Sequence, residues 1–208
     1  MSLTDLKTRI SYQSLLLAVF ALIASALLGI ADFNTRDVIK QRMEDDLRAS
    51  LTEVIPSTLY DNNLLKDTTY IASEEENLGE DKTLVYLARK DGKVSAVSFR
   101  LTAYGGYSGD ISLIMGIDNR GKILGVRVLA HAETPGLGDK IEVSKSKWIL
   151  DFVGRSLDNL TQKEWAVKKD GGVFDQFSGA TITPRAVVKG VHRGLDFFRH
   201  HQTELLAS

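Results

Sequence analysis

The feature that most constrains this chain is a run of about 21 residues, Ser11 to Ala31, without a charged side chain. Leu, Ala, Ile and Val dominate it, and its length matches the roughly 20 residues a helix needs to cross the apolar core of a bilayer. The run is longer than the apolar region of a cleaved signal peptide. Asp32-Phe33-Asn34 follows it where a cleaved leader would show small residues. An uncleaved transmembrane helix over residues 11–31 is therefore expected, with residues 1–10 as a tail. Lys7 and Arg9 precede the run and Arg36, Lys40 and Arg42 follow it, so charge alone barely orients the helix.

The full 208 residues leave room for one anchor and one further domain of ordinary size. Acidic and basic residues are interspersed and the net charge is −1, which offers no electrostatic footprint for nucleic acid. Cysteine is absent, excluding disulfides, thiolate metal sites, iron–sulfur ligation and a cysteine nucleophile.

Beyond the anchor, residues 32–80 read as an amphipathic helix and a connecting segment. Val38, Ile39, Met43, Leu47 and Leu51 recur at helical spacing from Thr35 to about Thr58, and Pro56 is expected to end the helix. Asp61 to Asp81 shows weak periodicity and reads as irregular surface, with Glu74-Glu75-Glu76 solvated. Residues 81–208 then form the domain, beginning near Asp81 at the latest. Thr83–Ala88 and Val94–Phe99 flank Asp91-Gly92 as a hairpin, and Ile111–Ile117 and Ile123–Leu129 flank Asn119-Arg120-Gly121 as a second. Trp148–Val153 and Pro184 to about His201 supply covering helices. The class is α+β, with a largely antiparallel sheet.

Three segments carry candidate chemistry. In Asp175-Gln176-Phe177-Ser178-Gly179-Ala180-Thr181, the small Gly179 and Ala180 let a bulky group approach the Thr181 hydroxyl. Thr183 then suits an N-cap and Pro184 a first helical position, followed by the apolar stripe Val187, Val188, Val191, Leu195 and Phe198. Free N–H groups at that helix start, with Arg185, would favour a phosphate. On spacing alone, an ordinary turn opening an ordinary helix is the better reading. The second segment, Tyr104-Gly105-Gly106-Tyr107-Ser108-Gly109, lacks the following helix of a dinucleotide loop; it is a flexible connection or an opening beside an aromatic face. The third, His131-Ala132-Glu133-Thr134-Pro135-Gly136-Leu137-Gly138, is a turn after a strand, where sites are often carried. His131 and Glu133 lack a third ligand at recognised spacing, so no metal site is expected.

The stretch Asp175 to Thr181 resembles the flavinylation motif of FMN-binding domains in the Rnf/Rsx and Na+-translocating quinone reductase complexes. Glu133 to Gly138 is similar to the Glu-Thr-Pro-Gly-Leu-Gly element of the same family. Gly106-Tyr107-Ser108-Gly109 and Trp165 to Gly172 also match, and the compact length resembles the G subunits of Rnf/Rsx more than the longer C subunits of the quinone reductase. The resemblance implies FMN joined covalently through its phosphate to Thr181, within a motif that includes Asp175, Ser178, Gly179 and Ala180. It implies Glu133, Thr134, Leu137 and Gly138 near the ring or ribityl chain, and raises Tyr107 as a ring contact. It further implies an electron-relay protein, not a complete enzyme alone, partnered by other subunits of the complex and matured by a flavin transferase. A bacterial inner-membrane location follows, with residues 1–10 as a short cytoplasmic tail, a single span and the FMN domain on the periplasmic side.

Thr181 is a weak nucleophile and no histidine base forms an evident triad, so self-attachment is not expected. A membrane-anchored binding or sensory domain holding a noncovalent anion is the alternative. A hydrolase is a third class, but there is no Gly-x-Ser-x-Gly elbow, and Ser144 to Lys147 is only a chance-grade Ser-x-x-Lys match.

Overall fold

The computed structural model describes residues 10–73 and 75–207. Helix α1 runs without interruption over Ile10–Val54, so the expected membrane helix and the amphipathic helix after it are one element of 45 residues. At 1.5 Å per residue its length is about 68 Å. It stops at Val54 because Pro56 disfavours helical backbone at Ile55 and itself adopts φ −56°, ψ 134°. The chain divides into two compact units, residues 1–46 and residues 47–208. In the first, the apolar window of α1 has no buried residue, as a lipid-facing segment requires, and Asp32 and Arg36 form an i,i+4 ion pair.

The second unit is built on a five-stranded antiparallel sheet whose strands follow one another in space as in sequence. They are β1 (Thr68–Ala72), β2 (Lys82–Lys90), β3 (Lys93–Ala103), β4 (Ile111–Asp118) and β5 (Ile123–Ala130). Both expected hairpins are present. At the β2–β3 turn Asp91 and Gly92 both take left-handed backbone, matching the strand twist. The edge strand β1 replaces part of the irregular segment expected over 61–81. Only Ile71 among its five residues is buried, so no alternation marks it in the sequence, and the ladder to β2 is what makes it a strand. Within the acidic run, Glu74 lies outside the described residues, and Glu76 is buried against His200 Nδ1 at 2.7 Å instead of being solvated.

Helix α2 (Ile182–Ala207) covers one face of the sheet. The stripe Val187, Val188, Val191, Leu195 and Phe198 is buried in one cluster with Val85, Phe99, Leu101, Leu113 and Met115. The expected helix over Trp148–Val153 is a 3-10 segment, Lys147–Phe152, opened by Trp148 N–H donating to Ser146 Oγ at 3.2 Å. On the opposite face Leu51 and Val54 of the last turn of α1, with Ile55 just after it, pack against Tyr86, Ala88, Ala96 and Ile114. The approach is close because Gly116 and Gly125 face each other across β4 and β5. A Cβ on Gly125 would stand 2.9 Å from Val54 Cα, and one on Gly116 would collide with the Val54 carbonyl. Arg127 and Glu53 add an ion pair at 2.8 Å.

Gly116→Ala should therefore destabilise this unit by about 1–3 kcal/mol through overpacking, read as a lowered midpoint in thermal unfolding. Gly92→Ala, where nothing lies within 4 Å but the backbone is left-handed, gives for comparison the cost of backbone strain without overpacking.

Candidate functional site

The stretch that carries Thr181 is held from below by aromatic rings. Phe177 to Ala180 form a tight turn, Ala180 N–H donating to the Phe177 carbonyl at 3.1 Å, with Gly179 at φ +81°. That backbone is costly for any residue with a Cβ, and the space above it is bounded only by Leu137, 3.7 Å from where a Cβ would sit. Phe177 is buried edge-on against Trp148 at 5.1 Å, and the Trp148 indole N–H donates to the Asp175 carbonyl at 2.8 Å. Trp148 meets Phe152, which stacks on Phe174 at 4.6 Å. Both ends of the motif are thus anchored, Ser178 and Gly179 are exposed, and Thr181 is half-buried.

Thr181 stands where α2 begins: Ile182 is the first helical residue, and the Thr181 carbonyl accepts from Arg185 N–H at 3.4 Å. Thr181, not Thr183, therefore holds the N-cap position, and Pro184 falls third in the helix instead of first. Thr183 does something the sequence does not reveal. It is fully buried and its hydroxyl donates to Glu133 Oε2. The other carboxylate oxygen of Glu133 accepts from the Ser108 backbone N–H at 3.0 Å. Glu133, itself buried, ties three segments together: the glycine-rich loop before β4, the turn after β5 and the first turn of α2.

The surrounding glycines leave room for this carboxylate and nothing more. A Cβ on Gly138 would lie 2.7 Å from Glu133 Oε2 and 2.9 Å from Thr183 Oγ1. Glu133 and Gly138 thus lie inside the frame. Leu137 is on its exposed side, as are Tyr107, 70% exposed, and Ile182, 45% exposed; Thr134 is exposed with them.

The charged groups of the motif are paired. Arg185 makes a two-pronged contact with Asp170 at 2.5 and 2.6 Å, and Asp175 meets Lys168 at 2.7 Å. Hydrogen bonding to Arg185, with that charge and those of Lys169 and Lys189, holds the Asp170 carboxyl below its ordinary range. His131 is also engaged at both nitrogens: Nδ1 accepts from Glu133 N–H at 3.0 Å, which makes Nε2 the donor to Glu142 at 2.8 Å. Hydrogen bonds from His131 and Ser144 hold the Glu142 carboxyl below the usual value. No group of three metal-ligating side chains occurs among the described residues.

An α+β domain with a half-buried threonine at a helix start, exposed apolar side chains around it and an apolar N-terminal helix defines the class to which similarity with known proteins also leads. Residues 106–196 match the FMN-binding domain family, and residues 1–54 match the RnfG N-terminal region. The chain is 49% identical over 203 residues to the G subunit of the ion-translocating oxidoreductase complex of Cereibacter sphaeroides, covering 98% of this chain and 90% of that one. It is 46% identical over 195 residues to the protein of the same name from Shewanella oneidensis, covering 94% and 92%. The chain belongs to the family of G subunits of the ion-translocating oxidoreductase complex. Among solved structures, the C subunit of the Na+-translocating NADH-quinone reductase from Parabacteroides distasonis is 24% identical, with a TM-score of 0.43 over 62% of this chain and 64% of that one.

Glu133→Ala should leave the Ser108 N–H and the Thr183 hydroxyl without their acceptor, at a cost of about 2 kcal/mol or more in denaturant unfolding. Glu133→Gln, which keeps one carbonyl acceptor, should lose less. For Glu142, a depressed folded pKa means that its stabilising contribution is present above the unfolded value and is lost as pH falls through the folded one. In a carboxyl-detected NMR titration Glu142 should titrate below the ordinary glutamate range, and His131→Ala should return it upward.

Proposed function

We propose that this chain is the electron-relay component of a membrane-bound, ion-translocating electron-transport complex, and that it carries FMN esterified through phosphate to Thr181. The family assignment supports an electron-transport protein with an FMN-binding domain, associated with the membrane and with other subunits of its complex. The observation that carries the finer reading is the placement of Thr181. Its hydroxyl belongs to a half-buried residue at the positive end of a 26-residue helix, just after an aromatic-anchored turn in which Ser178 and Gly179 are exposed.

The residues present fit the group. N–H groups of the first turn of α2 are unused within the helix and suit a phosphate ester. Exposed apolar side chains at Leu137, Ile182 and Tyr107 suit the flat ring system, and the missing side chain at Gly179 leaves the approach to Thr181 open. When attached, FMN supplies one- and two-electron redox chemistry. The protein's part is to hold it. Glu133 fixes the first turn of α2 against the loops on either side, and Trp148 fixes the motif from beneath. Arg185, bound to Asp170, is assigned to positioning the residue 170 turn against α2, and the phosphate is left to the helix start.

Attachment needs a proton to leave the Thr181 hydroxyl, and no basic side chain among the described residues is bonded to it. A separate flavin transferase is therefore part of the proposal, taking the FMN unit from FAD so that the pyrophosphate bond breaks, AMP leaves and the threonine proton is released. So is an orientation with the domain on the periplasmic face of a bacterial inner membrane, α1 forming the single span.

The test is intact mass together with in-gel fluorescence after denaturation, on protein from a host with an active flavin transferase. Wild type should gain the mass of FMN less water and fluoresce. Thr181→Ala should do neither while unfolding at nearly the wild-type midpoint, since losing a threonine N-cap costs about 1 kcal/mol. An unmodified wild-type mass would replace this reading with a noncovalent anion-binding domain.

A further inference from the structure

A second cleft, away from Thr181, lies beside the middle of α2. Its volume is about 310 Å3 and it is lined by Gln162, Trp165, Lys189, His192 and Arg193. Every one of these side chains carries an N–H group. Two of them are left without an acceptor among the described residues: the Trp165 indole N–H and the Arg193 Nε–H are buried and make no hydrogen bond. Such groups are uncommon in native proteins, since each forgoes its bond to water. Both groups belong to residues that line this one cleft and are closed to water, so an acceptor entering from outside would reach them as the two side chains turn toward it.

The charges agree. Arg193 is half-buried, and among the described residues its guanidinium has no carboxylate partner. One Nη donates to the Thr102 carbonyl at 2.8 Å, and the group lies over the Tyr104 ring at 5.4 Å. Burial depresses its pKa, which marks a cation held out of water without a counter-charge. Lys189, one turn earlier on α2, is exposed and adds a second positive charge. His192 is already paired with Asp196 at 3.0 Å and stands edge-on to Trp165 at 5.5 Å, closing one wall. Asp196 at this wall is answered by His192, and Asp170, whose carboxyl feels the Lys189 charge, is held in a two-pronged pair by Arg185. Trp165 is kept in place from behind by Phe174 at 5.4 Å and Phe152 at 6.4 Å.

We infer that this cleft is a binding site for a phosphate-type dianion, held between Lys189 and Arg193 and capped by the Trp165 indole N–H. A donor-rich lining with two cations favours a doubly charged, multi-oxygen acceptor over a neutral ligand or a cation. The site is separate from Thr181: Lys189 lies eight residues, about 12 Å of helix, beyond it. It rests on no property of the attached flavin.

The test uses the full-length, flavin-free chain in detergent micelles, titrated with inorganic phosphate at fixed pH and ionic strength, with chloride as the reference anion and acetate as the carboxylate arm. The readout is the indole N–H resonance of Trp165, assigned with Trp165→Phe, against that of Trp148, which already has an acceptor. Phosphate should shift Trp165 saturably and leave Trp148 still. Lys189→Gln, at an exposed position, should weaken the response roughly tenfold, the loss of one charge-assisted hydrogen bond. Thr181→Ala should leave it unchanged. The site would be overturned by an unresponsive Trp165, by a response that survives Lys189→Gln, or by loss of the response in Thr181→Ala. Acetate acting where phosphate does not would overturn the assignment to a dianion.

Discussion

The buried carboxylate of Glu133 sits where three loops of the domain converge, and each of its oxygens serves a different one. Ser108 reaches it from the loop before β4, Thr183 from the first turn of α2, and its own backbone belongs to the turn after β5. A buried anion is expensive to keep unless hydrogen bonds satisfy it. Removing it would leave two donors unpaired, so the three segments are coupled through one side chain. Gly106 and Gly138 follow from that arrangement, because any Cβ at either would enter the space the carboxylate fills. The position of the α2 start, and with it Thr181, depends on this tie.

Around that fixed point the site divides by polarity. Beneath the motif, Phe177, Trp148, Phe152 and Phe174 form a continuous aromatic layer that contributes burial without competing for the surface. On the other side Leu137 and Ile182 remain exposed beside it, and Tyr107 is exposed on the loop before β4, which leaves apolar area in water. The threonine hydroxyl lies at the boundary, fixed in backbone and half-open in side chain.

The sheet, its hairpins and the apolar stripe of α2 are legible in the sequence because each rests on local periodicity or on a turn residue with left-handed backbone. The edge strand β1 is not, because it has one buried residue and owes its conformation to the partner strand. The first turn of α2 misleads for a related reason. Thr183-Pro184 carries the local signature of a cap, but the buried Glu133 captures the Thr183 hydroxyl from a point 50 residues away in sequence, and the cap position moves to Thr181. The contacts that hold the turn, Ser108 to Glu133, Arg185 to Asp170 and Trp148 to Asp175, are visible only once distant segments meet. Asp170 shows the limit well: nothing near it in sequence announces that it will take up Arg185.

Pairing of the acidic residues decides what the helix start offers an incoming group. Asp170 and Asp175 both precede the helix start, and as bare carboxylates they would repel an anion approaching it. Each is instead matched, Asp170 by Arg185 and Asp175 by Lys168, in contacts of 2.5 to 2.7 Å. Exposed ion pairs of this kind add little to stability, but they cancel the local field they would otherwise impose. What remains uncompensated at Thr181 is the partial positive charge of the α2 N-terminus, which comes from oriented backbone and requires no side chain to reorganise. The electrostatics of the site are thus set by two neutralised acidic residues as much as by the helix itself.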